Sequence, residues 1–107
     1  MTGASSVGAL LDAGKLAEEI KTLPGWQLDA AGKSLSKNFV FEDFSDCFGV
    51  MSRIALAAEK LDHHPDWSNV WNRLNIRLST HDAGGLTGLD IDLARQIDQL
   101  AKAAKTG

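Results

Sequence analysis

The chain carries only three histidines, His63, His64 and His81, and two of them stand side by side in "EKLDHHPDW", Glu59 to Trp67. Imidazole is the side chain whose ordinary titration lies nearest neutral pH, so it can give or take a proton there. Glu59 and Asp62 add carboxylates beside the pair, and Pro65 follows it directly. Three readings are open. Three imidazoles and a carboxylate can hold zinc. Separately placed imidazoles can let one donate while another accepts, which suits an elimination of water. Surface or helix-end roles could also account for two of the three. Adjacency weighs against the metal, because consecutive extended residues point to opposite faces and share one ion only through a distorted loop. A histidine just past a helix C-terminus feels the negative end of the helix dipole, which suits a proton donor.

The surrounding elements must bring His81 to the pair. Phe44, Cys47, Phe48, Met51, Ala55, Ala58 and Leu61 recur at intervals of three or four, so the spacing predicts a helix over roughly Asp43 to Leu61 with that stripe in the core. Pro65 prevents its continuation. "RLNIRLST" then alternates, with Leu74, Ile76, Leu78 and Thr80 on one face. Paired with "PDWSNV" through a turn at Trp71-Asn72, it sets Asp66 opposite Arg77, Trp67 opposite Ile76 and His64 opposite Ser79. That hairpin carries His81 back beside Asp62 and His63, so all three imidazoles converge at its open end, with Glu59 nearby.

Upstream, Leu16, Ile20 and Leu23 mark a first helix ended by Pro24-Gly25. "WQLD" and "SLSKNFVF" read as a first strand pair. Downstream, Thr87 and Asp90 resemble a capping box that starts a last helix, whose apolar side is Leu89, Leu93, Ile97, Leu100 and Ala104. The expected fold is α+β in the order α-β-β-α-β-β-α, a four-stranded antiparallel sheet with helices packed on one face. A single domain over residues 12–107 follows a flexible N-terminal tip, residues 1–11.

Length and charge narrow the function. A chain of 107 residues accommodates one domain, and a net charge of −3 offers no basic field, so no nucleic-acid partner is expected. No run approaches the ~18 apolar residues of a membrane span, and the first residues lack the basic and apolar regions of a signal peptide. One cysteine, Cys47, cannot form an internal disulfide and reads as a buried thiol. The expected location is cytoplasmic, with no membrane partner.

Residues 58–94, with Glu59, His63-His64-Pro65, Trp67 and "STH" ending at His81, closely resemble the pterin-4a-carbinolamine dehydratase family. "GWQL" and "KNFVFEDFSDCFGVMSRIALAAEK" are similar to that family's first hairpin and long helix, so the resemblance covers roughly residues 23–100. It implies a hydro-lyase that converts 4a-hydroxytetrahydropterin to quinonoid dihydropterin and water, recycling the cofactor of aromatic amino-acid hydroxylases. By position it implies His63, His64, His81 and Glu59 as catalytic residues. Asp62, Trp67, Ser79, Thr80 and Asp90 would contact the reduced pterin. Asp90 could cap the helix, serve the site, or both, and Trp67 could border the pterin or pack over Ile76. The resemblance implies neither metal nor cofactor, and a homo-dimer or homo-tetramer. Its alternative is a protein-interaction module on the same fold, because some animal relatives are dimerisation partners of a transcription factor. Two positions depart from the family pattern: Leu89, where some relatives carry a charge, and Trp71, where tyrosine is frequent.

Overall fold

The computed structural model describes residues 9–103. Of the tip expected at residues 1–11, residues 1–8 therefore lie outside the described part, as does Ala104 of the last apolar stripe. Leu10 bridges to Thr87, and the Leu11 amide donates to the Leu86 carbonyl at 3.0 Å. Helix α1 spans Ala13–Ile20, with the Asp12 carboxylate accepting from the Lys15 amide at 2.7 Å as its N-cap. Strands β1 (Gln27–Leu28) and β2 (Leu35–Val40) follow, then helix α2 (Phe44–Leu61). Strands β3 (Asp66–Val70) and β4 (Arg73–Leu78), a short 3-10 turn (His81–Ala83) and helix α3 (Gly88–Ala103) complete the order.

All three strand pairings are antiparallel and the sheet order is β1-β2-β4-β3. Alternation decides its faces. Leu35, Leu74, Ile76 and Leu78 are buried toward the helices, whereas Asn38, Asn75, Arg77 and Ser68 face outward. The β3–β4 ladder has the expected register, Asp66 opposite Arg77 and Trp67 opposite Ile76. Its turn places Trp71 at φ 52°, a left-handed conformation that a bulky residue rarely adopts. Asn69 braces it, donating to the carbonyls of Trp71 and Arg73 at 3.0 and 2.8 Å.

Helix α2 forms where its spacing predicts, and Asp43 caps it by accepting from the Asp46 amide at 2.8 Å. Its buried face, however, is Cys47, Val50, Ile54 and Ala58. Phe44 and Phe48 stay about half exposed and Ala55 is exposed too, so the expected core stripe needs correcting by about one step around the helix. Both stripes are apolar at a spacing of three and four, and the position of the sheet selects between them. The Cys47 thiol is buried as expected, and burial pushes its pKa up.

Helix α3 buries Ile91, Leu93, Ala94, Ile97 and Ala101 against α2 and the sheet. Farther along, Asp98 is tied to the strands. Its carboxylate accepts from Trp26 Nε1 at 3.1 Å and from Lys37 Nζ at 2.9 Å, while Lys37 also donates to the Pro24 carbonyl. These bonds fix how α3 lies across the sheet, and so where its first turn meets the end of the hairpin.

Candidate active site

The end of α2 decides which way each of the paired histidines points. Asp62, one residue past the helix, takes a left-handed conformation with φ 53° and ψ 42°. Its amide donates to the Glu59 carbonyl and the His63 amide to that of Ala58, the two bonds of a Schellman motif. The chain reverses there, and His63 turns into the protein, only 8% exposed. His64 is next in the chain and exposed, and Pro65 starts the extended path into β3.

His63 meets α3. Its Nε2 lies 2.6 Å from Oδ1 of Asp90, a carboxylate with no solvent exposure at all. Oδ2 of Asp90 accepts from the Thr80 hydroxyl at 2.7 Å and from the Thr87 amide at 2.9 Å. The last bond is the reciprocal half of a capping box, so Asp90 caps α3 and anchors His63 at once. Burial of a carboxylate requires this many donors, since an unpaired one would cost several kcal/mol (~3–5). Thr80 in turn begins the tight loop that carries His81. It forms an isolated bridge with Gly85, and Gly84 closes the loop at φ 75°, where glycine alone is unstrained.

His64 and His81 line one pocket of about 260 Å³ with Asp66, Arg77 and Ser79. His64 Nε2 is 2.9 Å from Oε1 of Glu59, and both side chains are well exposed. Arg77 and Asp66 pair loosely at 3.7 Å across the hairpin. Ser79 donates to the Lys33 carbonyl at 2.9 Å, holding the pocket wall to the first hairpin's loop. A larger hollow of about 340 Å³ on the open sheet face shares Asp66 and Arg77 but has no histidine in its lining.

The hairpin thus does bring His81 to the end of α2, together with His64. His63 lies apart from that pocket's lining, its ring turned toward Asp90, and Asp62 is exposed at the helix end. Trp67 stands opposite Ile76 and packs, half-buried, against the core. Arg77 and Asp66 are pocket residues that motif reasoning did not single out, although the strand register already paired them. Thr87 was legible only as a cap. Among the described residues, no group of three or more His, Cys, Asp or Glu side chains is gathered as a metal site. The opposite directions of His63 and His64 are the physical reason.

This small α+β domain thus holds one imidazole, His63, on a buried carboxylate and sets two more, His64 and His81, in a pocket. The chain belongs to the pterin 4 alpha carbinolamine dehydratase family, whose model matches residues 9–100. It is 51% identical over 86 residues to a protein of Rhizorhabdus wittichii provisionally named pterin-4-alpha-carbinolamine dehydratase, covering 80% of this chain and 89% of that one. A Sinorhizobium fredii protein of the same provisional name is 50% identical over 91 residues, covering 85% and 87%. Among solved structures, the transcriptional coactivator/pterin dehydratase from Brucella melitensis superposes with a TM-score of 0.82 at 43% identity, covering 85% of this chain and 97% of that one. A pterin dehydratase-like protein described as a RuBisCO assembly factor in the alpha-carboxysome shares the fold, with a TM-score of 0.62 at 22% identity over 72% of this chain and 89% of that one. No helix among the described residues is long and apolar enough to cross a membrane.

Proposed function

We propose that the protein is a hydro-lyase that converts 4a-hydroxytetrahydropterin to quinonoid dihydropterin and water. The observation that carries this reading is the pocket shared by His64 and His81, with a third imidazole, outside that pocket's lining, held by Asp90. At about 260 Å³ the pocket lies just below the ~300 Å³ at which small-molecule sites usually begin, so it would take the pterin ring and leave its side chain outside.

The reaction removes hydroxide from C4a and a proton from N5, and leaves a C4a–N5 double bond. In our reading a protonated imidazole in the pocket, His81 or His64, protonates the departing hydroxyl so that it leaves as water. His63 takes the N5 proton, directly or through one water, on the ring nitrogen that Asp90 does not hold. Asp90 behind it stabilises the imidazolium that forms, as the buried carboxylate of a catalytic triad does. Glu59 holds His64 in place. The N5 lone pair drives expulsion of the hydroxyl, so the sequence of steps uses no metal and no cofactor. Ser79, Asp66 and Arg77 line the pocket around the ring, whereas Thr80 and Asp62 stand outside that lining. An aromatic amino-acid hydroxylase in the same cytoplasmic compartment is the companion reaction that would supply the substrate.

The test is the decay of 4a-hydroxytetrahydropterin generated in situ, followed by absorbance with and without purified protein. Acceleration that disappears in His63→Ala and His81→Ala supports the assignment. Decay at the buffer rate with the intact protein sinks it.

The exposed apolar side chains of α2 favour a second role on another surface. Phe44 and Phe48 lie with tilted rings 5.5 Å between centroids, and Leu56 is 70% exposed on the same helix. We place the contact of a homo-dimer or homo-tetramer, or of another protein partner, on this helix. Light scattering of Phe48→Ser checks it: an unchanged mass and unchanged partner binding would remove α2 from any interface.

A further inference from the structure

The bonds around Asp90 have a direction that follows from counting protons. Each threonine hydroxyl has one proton to give. Thr80 gives its proton to Oδ2 of Asp90, so in the 2.8 Å bond between the two hydroxyls Thr87 must be the donor and Thr80 the acceptor. Thr87 Oγ1 accepts in turn from the Leu89 amide at 3.2 Å. The chain of donors therefore runs one way, from the first turn of α3 through Thr87 and Thr80 to Asp90.

At the far end Asp90 acts only as an acceptor, so His63 must present a proton on Nε2 to Oδ1. That leaves Nδ1 as the nitrogen free for chemistry. Among the described residues no buried side-chain nitrogen or oxygen lacks a partner, and Nδ1 has no protein hydrogen bond, so this atom keeps a solvent contact. Neither threonine touches the pocket that holds His64 and His81.

We propose that Thr87 and Thr80 are positioning residues, whose hydroxyls form a one-way relay into Asp90 that fixes His63 with Nε2 protonated and leaves Nδ1 free to accept a proton. The consequence for rate rests on the dehydratase reading above; the consequence for the His63 ring does not. Thr80 also sits directly before His81, so the same relay holds the start of the loop that carries the second imidazole. A purely capping Thr87 would stabilise α3 and leave the His63 tautomer alone.

The experiment combines ¹⁵N NMR of the His63 ring with steady-state dehydration kinetics. Thr80→Val keeps the side-chain shape, removes the relay hydroxyl and leaves the α3 cap residue in place. It is expected to turn a pure Nε2–H signature into a mixture of tautomers, and to lower kcat roughly fivefold to tenfold with KM unchanged. Thr87→Ser, which keeps the hydroxyl, should preserve both the signature and the rate. If Thr80→Val does not fold, Thr87→Gly is read the same way, because glycine is a tolerable N-cap without a hydroxyl. A pure Nε2–H signature in the hydroxyl-free variant overturns the relay, as does a mixed signature in the intact protein. An intact protein that shows the expected signature and no dehydratase activity would refute the function while leaving the relay standing.

Discussion

His63 and His64 are neighbours in the chain and opposites in environment. His63 is packed against α3 on a carboxylate that receives two further donors. His64 stands in the open, paired with an equally open Glu59. One arrangement is rigid and costly to disturb; the other is adjustable and contributes little to stability. A buried pair is worth a great deal once formed because removing either member strands the other, whereas an exposed pair competes with water. A proton acceptor benefits from the first setting, where orientation and tautomer must not drift. A group that meets incoming substrate benefits from the second.

Substitutions can break that contrast at either end. Asp90→Ala should have the largest effect, since it strands His63, Thr80 and the Thr87 amide together. We expect a loss of roughly 3–5 kcal/mol, read as a lower urea midpoint. Asp90→Asn keeps the shape but offers His63 a different partner, and should lower kcat by about 10²- to 10⁴-fold in a protein that still folds. Should Asp90→Asn retain full activity, the closed half of the comparison has no bearing on chemistry. His81→Ala should show the reverse profile, with kcat down about 10²-fold and stability within ~0.5 kcal/mol of the parent by thermal melting. Glu59→Gln should be milder still, at most about fivefold in rate, because an exposed pair is worth no more than ~1 kcal/mol.

The smallest effect tests burial alone. Cys47 lies on the inner face of α2 with its pKa raised by burial. A raised thiol pKa favours the neutral form in the folded state, so its contribution is complete below the thiol's ordinary value of ~8.5. It is then lost as pH climbs through the folded value. Urea midpoints should therefore fall slightly as pH rises past ~8.5 in the parent and not in Cys47→Ser, and native protein should resist alkylation at neutral pH. Rapid labelling without unfolding would contradict the burial.

How legible the molecule was depended on the range of the interaction involved. The β3–β4 register could be read because an opposite-charge pair and an apolar pair agree on it, and both are local to one hairpin. That register carried His81 toward the end of α2 before any three-dimensional information. The buried stripe on α2 is not fixed by the sequence pattern, because two adjacent apolar stripes satisfy the same helical period. Cys47, Val50, Ile54 and Ala58 face the sheet while Phe44 and Phe48 do not. The ending of α2 was half legible: Pro65 announced a stop, but the left-handed Asp62 that turns His63 inward has no glycine to announce it.

Composition, period and motif by themselves determined the α+β order, the two hairpins and the family resemblance, because each rests on residues close in sequence, whereas the β2–β4 pairing that joins the hairpins into one sheet is long-range. Only the tertiary structure decided that His63 faces inward to Asp90 while His64 faces outward to Glu59. It alone joined Thr80 and Thr87 to that buried carboxylate, and made Arg77 a wall of the pocket. Direction is a property of packing. A histidine pair announces two imidazoles; the left-handed turn at Asp62 points His63 inward, and α3, placed by contacts that span most of the chain, supplies the carboxylate that receives it.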